Sequence, residues 1–279
     1  MNCVLYGNCQ AEYLTRILKK SLNFTTIYKK IEYVANYKLI EKKRAFSIKK
    51  KLKYKNFKLL PSNISNADLF IYQPVNNYHD ELATNHIINN VLKKECKVIS
   101  FPYIYNSAIS IFDKKGDYKN IFINLLKNGH SLENVLIKFE NLEIDFNFKN
   151  RFTNTMNILK ERESDLDIKV HQYILDNFGK KKLFISEPHP TIHIYYQCII
   201  QIFKILNLTN DLSFELTSSV LDSERAYKLH FGLIEKNSKT PYEINFYKLE
   251  WKKFPDTNWF EFYSEKIKKI YLETLSMND

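Results

Sequence analysis

The sequence predicts an α/β protein in which a small parallel sheet is flanked by many helices. Short apolar segments alternate along the chain with longer segments of helical periodicity, a pattern typical of parallel sheets. Glycine and proline are scarce, with 5 and 7 residues in 279, which disfavours an all-β fold built on many tight turns. Hydrophobic residues make up 44% of the chain and aromatic residues 15%, as in a globular protein with its own core.

The predicted strands are short apolar segments, several of them followed directly by polar or proline residues. Asp68 precedes one such segment, and Gln73 and Pro74 end it. In chain order the predicted strands are 2–6, 24–28, 69–72, 97–101 and 182–186.

The predicted helices lie between these strands. The clearest one has Pro190 in its first turn, where proline is favoured, and continues to Leu206 with apolar residues at i, i+3 and i+4. In chain order the predicted helices are 10–21, 29–60, 80–94, several within 117–178 (most clearly 132–139 and 155–177), 190–206 and 259–275. Residues 213–250 combine possible strands and turns.

The chain contains no internal repeat, low-complexity tract or clear linker. We therefore expect one α/β catalytic domain over residues 1–208, and a C-terminal portion, 209–279, packed on the same domain. No apolar run approaches the ~20 residues that a membrane-spanning helix needs.

The net charge is +11 and the isoelectric point is about 9.2. This charge favours association with phosphate groups, as in a nucleotide cofactor, an anionic membrane surface or a nucleic acid. A general bias toward lysine explains it equally well. The four cysteines form no C-x-x-C pair, and Glu12 and Arg16 interrupt the first apolar stretch, so we expect free thiols in a reducing cytoplasm.

Four residues follow predicted strands and are expected at one edge of the sheet, because the carboxyl ends of parallel strands lie together. They are Cys9, Gln73, Tyr103 and His189. A cysteine and a histidine far apart in the sequence are thereby expected to meet at this edge.

Cys9 and His189 are the candidate catalytic residues. Cys9 lies at the start of a helix, where N–H groups favour the thiolate. His189 precedes Pro190, and the positive end of a helix dipole lowers the pKa of an imidazole, as a general base requires. Each residue also has an ordinary structural explanation, as a buried inert thiol or as a histidine that caps the helix.

Other kinds of site are disfavoured by the sequence. His189 and His193 have the spacing of a zinc pair, but the glutamate of the metalloprotease motif and a third ligand are missing, so no metal site is expected. The chain has neither a G-x-G-x-x-G motif nor a P-loop, and no nucleic-acid-binding motif.

Five short motifs occur in an order that resembles the WcbI-type polysaccharide biosynthesis acetyltransferases over residues 2–208. They are Gly7-Asn8-Cys9-Gln10 after the first strand, Gln73-Pro74, Phe101-Pro102, Arg162-Glu163 and His189-Pro190. The resemblance implies a coenzyme A-binding protein that acetylates a sugar hydroxyl in the synthesis of a capsular or other surface polysaccharide. The layout is also similar to that of Rossmann-like and SGNH-type α/β proteins, with cysteine in place of the SGNH serine.

The resemblance implies roles for the residues of this chain. Either Cys9 accepts the acetyl group and passes it to the sugar, or His189 deprotonates the sugar while Cys9 lines the site. Backbone N–H groups of Cys9 and Gln10, with the amides of Asn8 or Gln73, are the candidate oxyanion or substrate-positioning donors. The candidate cations for the coenzyme A phosphates are Arg16, Arg151, Lys160 and Arg162.

Two other functions remain open at this stage. One is an esterase or deacetylase that uses the same Cys–His edge, and the other is a non-enzymatic, basic polyanion-binding protein. For the acetyltransferase, the expected partners are a sugar or oligosaccharide acceptor and an anionic membrane at its inner face, with no nucleic acid. The sequence does not indicate the acceptor sugar or the oligomeric state.

Overall fold

The computed structural model describes most of the chain, in seven ranges, and the statements below concern those residues. The ranges are 1–49, 59–109, 117–140, 143–144, 148–181, 183–218 and 259–275. They fall into two compact units. The first unit draws on Met1–Ile104, Ile158–Ile174 and Pro190–Asp222, and the second on Tyr105–Asn157, Leu175–His189 and Ser223–Asp279.

The first unit contains a four-stranded sheet with the strand order β2-β1-β3-β4. Its strands are β1 (Asn2–Gly7), β2 (Lys30–Ala35), β3 (Leu69–Tyr72) and β4 (Lys97–Ser100). All neighbouring pairs are parallel, with Tyr6 opposite both Val34 and Tyr72. The predicted α/β class with a small parallel sheet is therefore confirmed.

Helices occupy most of the remaining described chain. They are α1 (Cys9–Leu18), α2 (Leu22–Ile27), α3 (Asn36–Lys49), α4 (Ser62–Ser65), α5 (Thr84–Asn90), α6 (Asp117–Lys127), α7 (Leu132–Glu140), α8 (Phe148–Arg162), α9 (His171–Asn177), α10 (Ile192–Leu206), α11 (Phe214–Ser218) and α12 (Trp259–Leu275). Short 3₁₀ turns lie at Asn77–Leu82 and Ser107–Ile109. None of the described helices is long and apolar enough to cross a bilayer.

The core of the first unit forms around β1, whose residues 3–7 are all buried. Tyr6 stacks against Phe70 with ring centroids 5.9 Å apart, and its hydroxyl donates a hydrogen bond to the Leu82 carbonyl at 2.8 Å. Helix α1 also packs against α10, where the rings of Tyr13 and Tyr195 lie 5.6 Å apart. This packing fixes the start of α1 relative to the sheet.

The described helices of the second unit include α6, α7 and α12, which pack around a separate apolar cluster. Phe122 and Phe139 meet edge to face with centroids 6.1 Å apart. Ile267 and Ile270 of α12 complete the buried part of this cluster. The predicted helix at residues 259–275 is confirmed.

The second strand differs from the prediction. Residues 24–28 were expected to form a strand, but α2 covers Leu22–Ile27, and the strand lies at Lys30–Ala35 within a segment expected to be helical. The N-terminus of helix α2 is capped by one neighbouring and one distant residue. The Ser21 hydroxyl accepts the Phe24 N–H at 2.9 Å, and the Asp211 carboxylate accepts the Leu22 N–H at 2.7 Å. The distant cap overrides the β-branched composition of the segment.

The last predicted strand also differs from the prediction. Strand β5 (Phe184–Ser186) pairs with β6 (His189–Pro190) in a separate two-stranded sheet and is not hydrogen-bonded into the parallel sheet. The expectation that His189 follows a strand of that sheet is therefore wrong. Pro190 lies in β6, and α10 begins at Ile192 after Thr191 as N-cap. The predicted helix 155–177 is interrupted between α8 and α9.

The predicted division into 1–208 and 209–279 stays a prediction. Of the region 213–250, residues 219–250 lie outside the described residues, as do residues 50–58 of the predicted helix 29–60.

Candidate functional site

The turn after β1 depends on Gly7. A Cβ atom at this position would lie 2.8 Å from the Ala11 Cβ and 2.8 Å from the Gln73 Oε1. Both distances are shorter than real Cβ contacts. Glycine is therefore needed because helix α1 and the Gln73 side chain approach the backbone closely at this point.

Asn8 links this turn to the helix and to the neighbouring strand. Its Oδ1 accepts the Gln10 N–H at 2.8 Å, so Asn8 is the N-cap of α1. Its own N–H donates to Gln73 Oε1 at 2.9 Å. The end of β1 and the end of β3 are thereby held together by the Gln73 side-chain amide.

Gln10 and Gln73 form a buried amide pair. Gln73 Nε2 donates to Gln10 Oε1 at 2.9 Å and to the Pro102 carbonyl at 3.3 Å. Gln10 Nε2 donates to the Ile104 carbonyl at 2.5 Å, and Gln10 Oε1 accepts the Ile104 N–H at 3.1 Å. Because these donors are engaged inside the protein, the geometry favours a positioning role over direct oxyanion binding for both side chains.

Cys9 is the first residue of α1 and is half-buried. Burial raises the pKa of its thiol above the ordinary value, while the N–H groups of Cys9 and Gln10 act in the opposite direction, and the nearby Glu12 also raises it. The N–H groups at the helix start favour the thiolate as expected, but desolvation outweighs them, so the net shift of the pKa is upward. At neutral pH the thiol is protonated.

A pocket of about 660 Å³ opens at the carboxyl edge of the parallel sheet, within the first unit. The residues directly after β1, β2 and β3 contribute to its wall, as do the second and third residues after β4, as expected for an open α/β sheet. Its lining residues are Asn8, Asn36, Gln73, Pro74, Val75, Asn76, Asn77, Thr84, Asn85, Pro102, Tyr103, Arg162 and Leu166.

Four asparagines of this wall were missed at the sequence level: Asn36, Asn76, Asn77 and Asn85. Asn36 directly follows β2, so recognition of that strand would have placed it at the edge of the sheet. Asn76 and Asn77 lie at the start of the 3₁₀ turn after Pro74, and Asn85 lies in α5, within the predicted helix 80–94.

The four candidate phosphate-binding cations lie in different surroundings. Arg162 lines the pocket, with its guanidinium carbon 6.0 Å from the centroid of the Tyr103 ring. Arg16 is exposed on α1 and forms an ion pair with Glu12 at 2.5 Å. Lys160 is exposed on α8, and Arg151 belongs to the second unit.

His189 belongs to the second unit and is half-buried in β6. Burial lowers the pKa of its imidazole below the ordinary value. The neutral imidazole of His189 was predicted from a helix dipole, but in the structure it is desolvation that favours this state. The catalytic role of His189 stays a prediction.

The residues that the structure describes contain no group of three or more histidine, cysteine, aspartate or glutamate side chains arranged to hold a metal ion.

These features define an α/β protein whose candidate site is a polar pocket beside a cysteine-bearing turn, built from the loops that follow parallel strands. The chain belongs to the WcbI family: the family model described as "Polysaccharide biosynthesis enzyme WcbI" matches residues 2–211. The resemblance inferred from the sequence motifs is confirmed.

A solved structure of a WcbI protein is similar to this chain. It is described as WcbI, a novel polysaccharide biosynthesis enzyme, in the native protein without a disulfide bond between coenzyme A and one of its cysteines. The TM-score is 0.52 at 16% sequence identity, with 95% of this chain and 98% of that chain covered. At this identity the likeness establishes the fold. No curated protein matches the chain.

Proposed function

We propose that the protein is an acetyl-CoA-dependent O-acetyltransferase that acts on a sugar hydroxyl during synthesis of a capsular or other surface polysaccharide. The observation that carries the proposal is the position of Cys9 as the first residue of α1, directly after Asn8, which lines an amide-rich pocket at the carboxyl edge of the sheet. Family membership supports the acceptor class. The solved relative, which is described by the absence of a disulfide bond between coenzyme A and one of its cysteines, supports the donor.

The residues of the first unit fit coenzyme A in their chemistry. The half-buried Cys9 is the proposed binding position for its thiol end. In this unit the candidate cations for its phosphates are Arg16, Lys160 and Arg162, all of them exposed. The ion pair between Arg16 and Glu12 is exposed and therefore contributes only about 0–1 kcal/mol, so a phosphate can replace Glu12 at little cost. When bound, acetyl-CoA supplies an activated acetyl thioester.

The net reaction breaks the thioester C–S bond and the hydroxyl O–H bond, forms an ester C–O bond and transfers the hydroxyl proton to the departing thiolate, which leaves as a thiol. Cys9 is protonated at neutral pH because burial raises its pKa. A role as nucleophile therefore requires a base to remove its proton. A role as a wall residue that orients the donor requires none.

His189 is the proposed proton acceptor. Burial lowers the pKa of His189, so the imidazole is neutral at physiological pH. A neutral imidazole is the form that accepts a proton from a hydroxyl or a thiol.

The test combines coenzyme A binding with acetyl transfer. Thermal shift and calorimetry with coenzyme A are expected to show binding to the wild-type protein. Cys9→Ser and His189→Ala are expected to lower acetyl transfer to oligosaccharide acceptors by at least 100-fold. Cys96→Ser is the matched control, since Cys96 is also half-buried but lies before β4. Full transfer by both variants would overturn the mechanism, and hydrolysis of acetyl esters without coenzyme A binding would indicate an esterase.

We further propose that the protein associates with the inner face of an anionic membrane. The net charge of +11 supports this part of the proposal. Co-sedimentation with liposomes is expected to increase with their content of anionic lipid and to decrease with salt. Binding that does not depend on anionic lipid would contradict it.

A further inference from the structure

We propose that helix α3 is the surface through which the protein contacts an anionic phospholipid membrane, with exposed lysine and arginine side chains against the lipid headgroups. This inference rests on the membrane association proposed above and identifies the face of the protein that makes the contact. The charge distribution, the packing of α3 and its position beside the pocket support this assignment.

The positive charge of the chain is concentrated at α3 and directly after it. Residues 36–58 contain ten lysine or arginine residues and one acidic residue, Glu41. This range therefore carries +9 of the net charge of +11 in less than a tenth of the chain. Five of the ten cations belong to α3, and the other five lie in 50–58, outside the described residues. A bias toward lysine over the whole chain does not explain a charge confined to one range.

The packing of α3 determines which of its side chains face solvent. Leu39 and Ile40 pack against the apolar core of the first unit. Lys38, Lys42 and Arg44 are exposed. Lys38 and Lys42 are one helical turn apart and therefore lie on the same face. The helix thus turns its apolar side chains inward and presents cations to solvent.

Helix α3 also lies beside the candidate pocket. Its first residue, Asn36, lines the pocket. In the middle of α3, Lys43 donates to the His79 carbonyl at 3.1 Å and to the Asp80 and Glu81 carboxylates at 2.8 and 2.9 Å. These three residues belong to the 3₁₀ turn that follows β3. Contact of α3 with a lipid surface therefore holds this rim of the pocket at that surface.

The composition of this range favours lipid over nucleic acid as the partner. Nine of the ten cations are lysines. Lysine acts as a point charge, whereas arginine is favoured for bidentate contacts with phosphates and bases. A layer of mobile anionic headgroups attracts clustered lysines without requiring a fixed geometry. Tyr37 is 39% exposed on the same helix, and its ring and hydroxyl suit the boundary between lipid and water.

The experiment measures co-sedimentation of the full-length protein with vesicles of phosphatidylcholine, alone or mixed with phosphatidylglycerol. The test variant combines Lys38→Gln, Lys42→Gln and Arg44→Gln, three exposed positions at which glutamine preserves helix propensity. The wild-type protein is expected to bind the anionic vesicles at least tenfold more tightly than the neutral ones. The variant is expected to lose at least tenfold in affinity for the anionic vesicles. Raising the salt from about 0.15 M to about 1 M shortens the Debye length from about 8 Å to about 3 Å and is expected to abolish the wild-type preference.

The matched control combines Lys19→Gln, Lys20→Gln and Lys29→Gln. It removes three exposed cations from the first unit but none from α3. This control is expected to bind anionic vesicles much more tightly than the α3 variant does. Lys38→Arg combined with Lys42→Arg keeps the charge and is expected to bind like the wild type.

Equal losses in the α3 variant and the control would overturn the inference, because net charge alone would then account for the association. If the wild type does not prefer anionic vesicles, the proposed membrane association fails together with it. Binding of duplex DNA that the α3 variant loses, without binding to vesicles, would assign α3 to nucleic acid instead.

Titration of the same proteins with coenzyme A separates this inference from the acetyltransferase proposal. The α3 variant is expected to keep the coenzyme A affinity of the wild type. Loss of that affinity with unchanged binding to vesicles would assign the α3 cations to coenzyme A and contradict the membrane surface. If the wild type fails to bind coenzyme A while binding to vesicles depends on α3, the acetyltransferase proposal fails and the membrane surface stands.

Discussion

The side-chain amides of Gln10 and Gln73 are hydrogen-bonded to each other inside the protein, with Gln73 Nε2 2.9 Å from Gln10 Oε1. Both residues are almost completely buried. This pair joins the start of α1 to the end of β3, and further bonds reach the Pro102 and Ile104 backbone after β4. One buried amide pair thus connects three of the loops at the candidate site.

Truncation of this pair is expected to destabilise the fold. Gln73→Ala or Gln10→Ala each leaves buried partners unsatisfied, at a cost of about 1–3 kcal/mol in the free energy of unfolding. The double variant is expected to cost less than the sum, with a coupling of about 0.5–3 kcal/mol. Chemical denaturation measures these values, with Asn90→Ala, an exposed residue of α5, as control. Strictly additive effects would show that the two amides act independently.

Gly7→Ala is expected to lower the free energy of unfolding by about 1–3 kcal/mol, because the new methyl group meets Ala11 and Gln73 at 2.8 Å. Gly129→Ala is the comparison. Gly129 has a φ of +85° and open space around it, so its cost is backbone strain alone, on the order of 1 kcal/mol. Gly7→Ala should also disturb ligand binding, whereas Gly129→Ala should not. An unchanged midpoint for Gly7→Ala in denaturation would contradict the close approach.

Alkylation of Cys9 is expected to be slow at neutral pH. Burial raises the pKa of this thiol above its ordinary value of 9.0, so the reactive thiolate is scarce at pH 7. The rate with iodoacetamide, followed by mass spectrometry in a Cys96→Ser background, should rise through pH 9 and above. A rate that reaches its plateau below pH 8 would show that the helix N–H groups outweigh burial.

Acid is expected to reduce both stability and activity through His189. Its pKa is depressed below the ordinary 6.5 by burial, so the unfolded chain takes up a proton first as pH falls. The contribution to stability is complete above about pH 6.5 and is lost as pH decreases through the folded pKa. His189→Gln should flatten the pH dependence of the unfolding midpoint in this window. An identical slope for His189→Gln and wild type would exclude this contribution.

Several elements were predictable because their signals are local. The apolar residues of β1, β3 and β4 and the i, i+4 stripe of α10 require burial whatever their partners are. The Gly-Asn-Cys-Gln turn was equally visible, since Asn8 caps α1 through a bond to Gln10, two residues away. Arg162 was among the predicted cations and lies in the pocket wall.

Other features depend on contacts between residues far apart in sequence. Helix α2 forms in a segment with strand-like composition because Asp211 accepts the N–H groups of Leu22 and Asn23, at a separation of almost 190 residues. Because the second strand was predicted at 24–28, the sequence did not indicate that Asn36, which directly follows β2, lies at the edge of the sheet. Strand β5 is apolar like the strands of the parallel sheet, but it pairs with β6 in a separate sheet.

The sequence by itself determined the α/β class, the family and the position of Cys9 directly after the first strand, because periodicity and short motifs are properties of neighbouring residues. The tertiary structure decided the strand order, the pairing of Gln10 with Gln73 and the protonation of Cys9. It also decided which asparagines share a pocket with Arg162. These properties arise from burial and from hydrogen bonds between distant segments, whose energies depend on surroundings that only the folded chain creates.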